Sequence, residues 1–132
     1  MATISFDLVS PEQLLFNGEV GMIIVPGKDG DIGVLPGHSQ VLSSLRPGRV
    51  MVYGKDKNLL KSFFVTGGFV EINPEKCIVL AEGIFEMNSL DKSAIEKQIE
   101  ELESKYPGEI NEDLFVAKSK IEAINSTHYE KI

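Results

Sequence analysis

Apolar residues recur at every second position from Thr3 to about Glu86, and then at every third or fourth. Ile4, Phe6 and Leu8 alternate with Ser5 and Asp7. Val20, Met22 and Ile24 alternate with Gly21, Ile23 and Val25, while Val50 and Val52 share one face. Cys77, Val79 and Ala81 oppose Ile78 and Leu80. A period of two is the mark of a strand. The runs are short, and turn sequences separate them: Gly54-Lys55-Asp56-Lys57-Asn58, Gly67-Gly68 and Asn73-Pro74-Glu75-Lys76. Many short strands with no helical pattern between them predict an antiparallel β-sandwich or flattened barrel. Ile23-Ile24-Val25 and Phe63-Phe64-Val65 are apolar on both faces, so these strands are expected to lie between two sheets or against a partner.

After Asn88 the period changes. Ile95, Ile99, Leu102 and Tyr106 form one helical stripe, and Leu114, Ala117, Ile121 and Ile124 form another. Stripes this narrow suit the seam of two paired helices. Asn88 or Ser89 is the expected cap of the first helix, with Asp91 in its first turn. Pro107-Gly108 ends it, and Asn111 caps the second, with Glu112 and Asp113 behind. The short connection predicts an antiparallel hairpin. The expected division is a sandwich over residues 1–86 and a hairpin over 87–132. Neither helix is long enough to be stable alone, so they need each other, the sandwich or a partner. Held by so narrow a seam, the hairpin is expected to be able to detach and extend.

The segment Val25–His38, VPGKDGDIGVLPGH, carries four glycines and two prolines around Lys28, Asp29 and Asp31. Such a density of Gly and Pro predicts an irregular but specified shape, with a charged tip suited to contact.

Composition narrows the choice of function. Thirteen basic and 20 acidic residues leave a net charge of −7. That balance disfavours nucleic acid, whose phosphates call for Lys and Arg, and disfavours an anionic membrane surface. An acidic patch facing a basic protein remains open. One cysteine, Cys77, rules out an intrachain disulfide. The first residues, MATISFDLVSPEQ, do not read as a signal peptide, and no run of about 18 apolar residues exists to span a bilayer. The expectation is a soluble intracellular protein with no direct membrane insertion.

Candidate chemistry is thin. Gly27-Lys28 lacks the spacing of a phosphate loop, and Asp29 and Asp31 would repel phosphate. Asp29 and Asp31 begin like a calcium loop, but the twelfth position is Gln40 where a Glu belongs. His38 and Ser39 are adjacent, so in extended chain their side chains point to opposite faces, and no nucleophile elbow exists. The other histidine is His128. Cys77 lies in an alternating strand and reads as a buried, inert thiol. Glu96, Glu100, Glu101 and Glu103 flank the first helical stripe as a solvated face. The residues describe an interaction protein, with no metal and no cofactor, rather than an enzyme.

Four blocks then carry a resemblance: FDLVSPEQLLFNGEV, VPGKDGDIGVLPGH, LRPGRV and FFVTGGFVEINPEKCIVLAE, which in order span nearly all of residues 5–83. The chain resembles the epsilon subunits of bacterial F-type ATP synthases, the counterparts of mitochondrial delta. The resemblance implies a ten-stranded β-sandwich followed by a two-helix hairpin. It implies a non-catalytic place in the central stalk, touching the c ring and gamma, on the cytoplasmic side of the bacterial inner membrane and peripheral to it. The hairpin would reach alpha or beta. By the same resemblance, Asp29, Gly30 and Asp31 face the c ring, and His38 and Leu42 face gamma. Glu82 and Asp91 match positions that contact ATP in some members. The arginine expected in the Leu90-Asp91 motif is Ala94, and no arginine follows Arg49. ATP binding is therefore expected to be weak or absent. The hairpin carries ten acids and six bases, net −4, so its inhibition of ATP hydrolysis is expected to be weak. The competing reading is a free-standing sandwich-and-hairpin adaptor or ligand-sensing module.

Overall fold

The protein is described here from a computed structural model, which describes residues 2–105, 107–108 and 111–126. Ten strands come first: β1 (Ile4–Val9), β2 (Leu14–Val20), β3 (Met22–Gly27), β4 (Gly30–Val34) and β5 (Val41–Leu45), then β6 (Gly48–Tyr53), β7 (Leu59–Val65), β8 (Gly68–Ile72), β9 (Lys76–Ala81) and β10 (Ile84–Glu86). A single 3-10 turn, Met87–Ser89, leads to α1 (Lys92–Lys105) and α2 (Glu112–Asn125).

Hydrogen bonds link the strands in the order β10-β7-β6-β3-β5-β8-β9-β1-β2, with β4 added on β3. The path folds over at β3–β5, where the only register pair is Gly27 with Leu45. One leaf supplies Ile23, Val25, Val50, Val52, Phe63 and Val65 to the core, and the other supplies Ile4, Phe6, Leu8, Val70, Ile72, Cys77 and Val79. This is the expected sandwich, and the inward residues are those of the period-two pattern. One pair departs from antiparallel order: β1 runs parallel to β9. Lys76 reaches across that pair to the Asp7 carboxylate at 3.3 Å.

The segment Val25–His38 is more regular than expected. Val25, Pro26 and Gly27 pair with Ile32, Asp31 and Gly30, so Lys28 and Asp29 form a two-residue hairpin turn. Gly30 leaves that turn at φ +147°, a value that L side chains rarely adopt. Most of the segment is therefore a paired hairpin instead of an irregular loop, because cross-strand pairing satisfies its backbone groups. Irregularity is confined to Leu35–His38, where the Gly37 N–H reaches the Pro74 carbonyl at 2.9 Å.

The outer face of the β3-β6 leaf is apolar too. Ile24, Met51 and Tyr53 form a second cluster, with Met22 and Leu59 beside it. α2 lies over part of this cluster: Phe115, Ser119, Glu122, Ala123 and Ser126 share a groove with Ile24 and Met51. Those positions recur every three or four residues, so one helical face meets the sheet. Ala123, outside the expected seam, is buried for this reason. Asn111 caps α2 as expected, its Oδ1 accepting from the Leu114 N–H at 3.2 Å. The cap of α1 is Asp91 rather than Asn88 or Ser89: its Oδ1 accepts from the N–H groups of Ser93 at 3.0 Å and Ala94 at 3.3 Å. Met87–Ser89 is taken up by its own 3-10 turn, where the Ser89 hydroxyl donates to the Glu86 carbonyl. Tyr106, expected in the α1 seam, and His128 lie outside the described residues.

Candidate functional site

The residues expected to make contacts fall in two places. Asp29, Gly30 and Asp31 sit at the exposed end of the β3–β4 hairpin. Asp31 is not a bare acid: its carboxylate is paired with the Arg46 guanidinium at 2.5 Å, with the two side chains 30% and 42% exposed. Arg46 also donates to the Gly27 carbonyl at 2.5 Å. Both partners belong to the hairpin, so one side chain holds its two strands.

His38 is half-buried at the other end of β5, and its Nδ1 lies 2.6 Å from the Ser39 carbonyl oxygen. That contact ties the imidazole to its own turn. Leu42, on β5, is 75% exposed. It is registered with Glu71 on β8, Ser44 with Phe69, and Phe69 with Leu80 on β9. Registered partners share a face of a sheet. Leu42, Phe69 and Leu80 thus stand on one outer face, the last two 59% and 52% exposed. Singly exposed leucines are ordinary, but a run of large apolar side chains along one sheet face is a contact surface. The grouping of Leu42 with Phe69 and Leu80 comes from long-range strand order.

Glu82 lines a cleft of about 990 Å³ between the Gly68 and Ala81 ends of β8 and β9 and the helices, together with Phe69, Leu80, Gln98, Val116 and Lys120. Asp91 is spent on capping α1. Burial lowers the Lys120 pKa, and its ammonium stands 4.2 Å from the Phe85 ring centre. Burial also pushes the Cys77 thiol up to about 12, in keeping with an inert core residue. Of the glutamates flanking α1, Glu103 pairs with Lys118 of α2 at 3.4 Å, a weak bond between solvated faces.

Arg46 and Arg49 are the residues that sequence reasoning did not single out for a role. Arg49 donates to the Ser126 hydroxyl at 2.9 Å and to its carbonyl at 3.3 Å, tying β6 to the end of α2. The partners are 77 positions apart, and no local pattern announces such a pair.

A sandwich with a clamped polar hairpin at one end, an apolar outer face and two helices docked alongside defines a protein built for contact with other chains. The family model for the ATP synthase delta/epsilon chain, beta-sandwich domain, matches residues 3–87. The chain is 43% identical over 98 residues to the ATP synthase epsilon chain of Rhodospirillum rubrum, covering 74% of this chain and 72% of that one. It is 44% identical over 111 residues to the epsilon chain of Afipia carboxidovorans, covering 83% and 79%. A chain in the Euglena gracilis mitochondrial ATP synthase (OSCP/F1/c-ring) shares the fold, with TM-score 0.77 over 94% of this chain and 78% of that one at 20% identity. The chain belongs to the ATP synthase delta/epsilon family.

Proposed function

We propose that this chain is a central-stalk subunit of an F-type ATP synthase, passing ion-driven rotation of the c ring through gamma to the catalytic sites. It performs no chemistry itself. Residues 1–86 make the contacts to the c ring and gamma, and residues 87–132 form a hairpin that meets alpha or beta. The subunit is peripheral, on the cytoplasmic side of the bacterial inner membrane, and is held there by the complex; no helix among the described residues is long and apolar enough to cross a membrane.

The observation that carries this reading is the family match across the whole sandwich, residues 3–87. The geometry supports the division of partners. The Asp29-Gly30-Asp31 tip is polar and projecting, suited to the polar loops of a ring, where charge gives orientation and specificity more than affinity. The Leu42-Phe69-Leu80 face, with His38 at its border, is suited to gamma. A joint under torque needs at least about 1,000 Å² of buried surface, and an apolar sheet face can contribute much of it.

Affinity purification of the tagged full chain should recover gamma and c subunits, and recovery of unrelated partners alone would reject the assignment. Asp31→Arg should lower proton-coupled ATP synthesis in the assembled enzyme; unchanged coupling would remove the role of that carboxylate. The adaptor or ligand-sensor alternative draws on the cleft beside Glu82. With Asp91 occupied as a cap and no arginine after Arg49, ATP binding should be weak or absent by calorimetry; a micromolar dissociation constant would overturn that expectation.

A further inference from the structure

We propose that Arg46 is the residue that positions Asp31, so that the hairpin tip meets its partner as a clamped Asp–Arg pair rather than as a free carboxylate. This rests on reading the β3–β4 hairpin as the c-ring contact. Among the described residues, β4 pairs with β3 alone, so its outer edge has no ladder to hold it and the tip depends on the ties made from β3 and the neighbouring turn. The hairpin is tied down at one corner, where the two leaves meet. There the Arg46 N–H donates to the Pro26 carbonyl at 3.0 Å and the Lys28 N–H donates to the Ser44 carbonyl at 2.9 Å.

From that corner the Arg46 side chain extends the tie outward. Its Nη1 donates to the Gly27 carbonyl and its Nη2 to the Asp31 carboxylate, so the two arms of one planar fork hold both strands of the hairpin. Glu122, near the end of α2, borders the same groove of about 350 Å³, yet the guanidinium is committed to the hairpin. A lysine carries the charge as a single point and cannot hold two acceptors in a fixed plane. The exposed pair contributes little to global stability. Its effect is preorganisation: the carboxylate is held in one orientation before it meets a partner, which lowers the ordering cost of contact.

The test uses the full chain and the assembled synthase. In the free protein, Arg46→Gln should raise amide exchange over Gly27–Asp31 by about tenfold, with the Val52 and Val79 amides unchanged. Arg46→Lys should recover only part of that protection, because charge is restored without the fork. In the assembled enzyme, Arg46→Gln should lower coupled ATP synthesis by about threefold or more, and adding Asp31→Asn should cost little further, as expected when two residues act as one unit. Unchanged exchange in Arg46→Gln, or full rescue by Arg46→Lys, would overturn the clamp whatever the coupling does. Raised exchange with unaltered ATP synthesis would overturn the clamp's role in coupling, while the c-ring reading is decided separately by Asp31→Arg.

Discussion

The sandwich and the helix pair are built on different principles. In the sandwich, large side chains such as Phe6, Phe63 and Ile72 are fully buried between two leaves. In the helices, the described residues that are buried are Ile95, Ala117 and Ala123. An alanine removes little apolar surface from water, so the helix pair gains far less from burial than the sandwich does. Its attachment depends on a few specific contacts: Arg49 to Ser126, Lys120 over Phe85, and one helical face against Ile24 and Met51. A domain with a large core resists local opening, whereas an element held by a handful of peripheral contacts opens at low cost. The detachment expected from the narrow seams is tempered by those contacts, none of which lies in a seam.

The contrast can be broken most directly at Phe63. Phe63→Ala should cost about 3–5 kcal/mol by urea unfolding and bring down the whole molecule in one transition. A loss confined to the helices would mean that the two regions are not ranked as described. The Cys77 thiol supplies a second test of the core. Its folded pKa is raised to about 12, so the stability it contributes is present below the unfolded value, about 8.5. Above that value the unfolded chain loses its proton first, and stability should fall by up to about 1.4 kcal/mol per pH unit until the folded thiol titrates. Cys77→Ala should flatten that part of the pH profile. At pH 8 the native protein should resist iodoacetamide and react only after unfolding.

Arg49→Ala probes the helix attachment. It should cost about 1–2 kcal/mol, discounted for the half-exposed setting. The loss should be seen as faster amide exchange in α2 with sandwich amides unchanged. Equal acceleration everywhere would show that α2 and the sandwich form one cooperative unit. The smallest effect is expected on activity: removing residues 88–132 should leave ATP hydrolysis by the assembled enzyme within about twofold, since a hairpin of net charge −4 is poorly suited to meet acidic surfaces. A much larger rise would make the hairpin a strong brake and reverse the ranking of the two regions in function.

Much of this was legible in the chain. The switch in period near Asn88 separates strands from helices, and the alternation of Ile4, Phe6 and Leu8 marks the face that is buried. The Asn111 cap is local chemistry and was readable as such. The α1 cap was misplaced because Asn88, Ser89 and Asp91 are all competent, and only the 3-10 turn removes the first two. The resemblance assigns Asp31 and His38 to different partners, but what holds each of them in place is long-range. The hairpin carries Asp31 to the Arg46 corner, while the Leu35–His38 turn carries His38 toward Pro74.

Sequence by itself determined the strand-then-helix order, the inward faces, the helix stops and, through its four ordered blocks, the family. These are set by side-chain periodicity and backbone chemistry over a few neighbouring residues. Tertiary structure alone decided the parallel β1–β9 pair, the outer cluster of Ile24, Met51 and Tyr53 with α2 over its Ile24 and Met51, and the alignment of Leu42, Phe69 and Leu80 on one face. It also decided that Asp31 carries Arg46 as a partner and that Arg49 holds the end of α2. Each of these joins residues distant in sequence, and their pairing follows from how the two leaves close over the core, a geometry that no local pattern encodes.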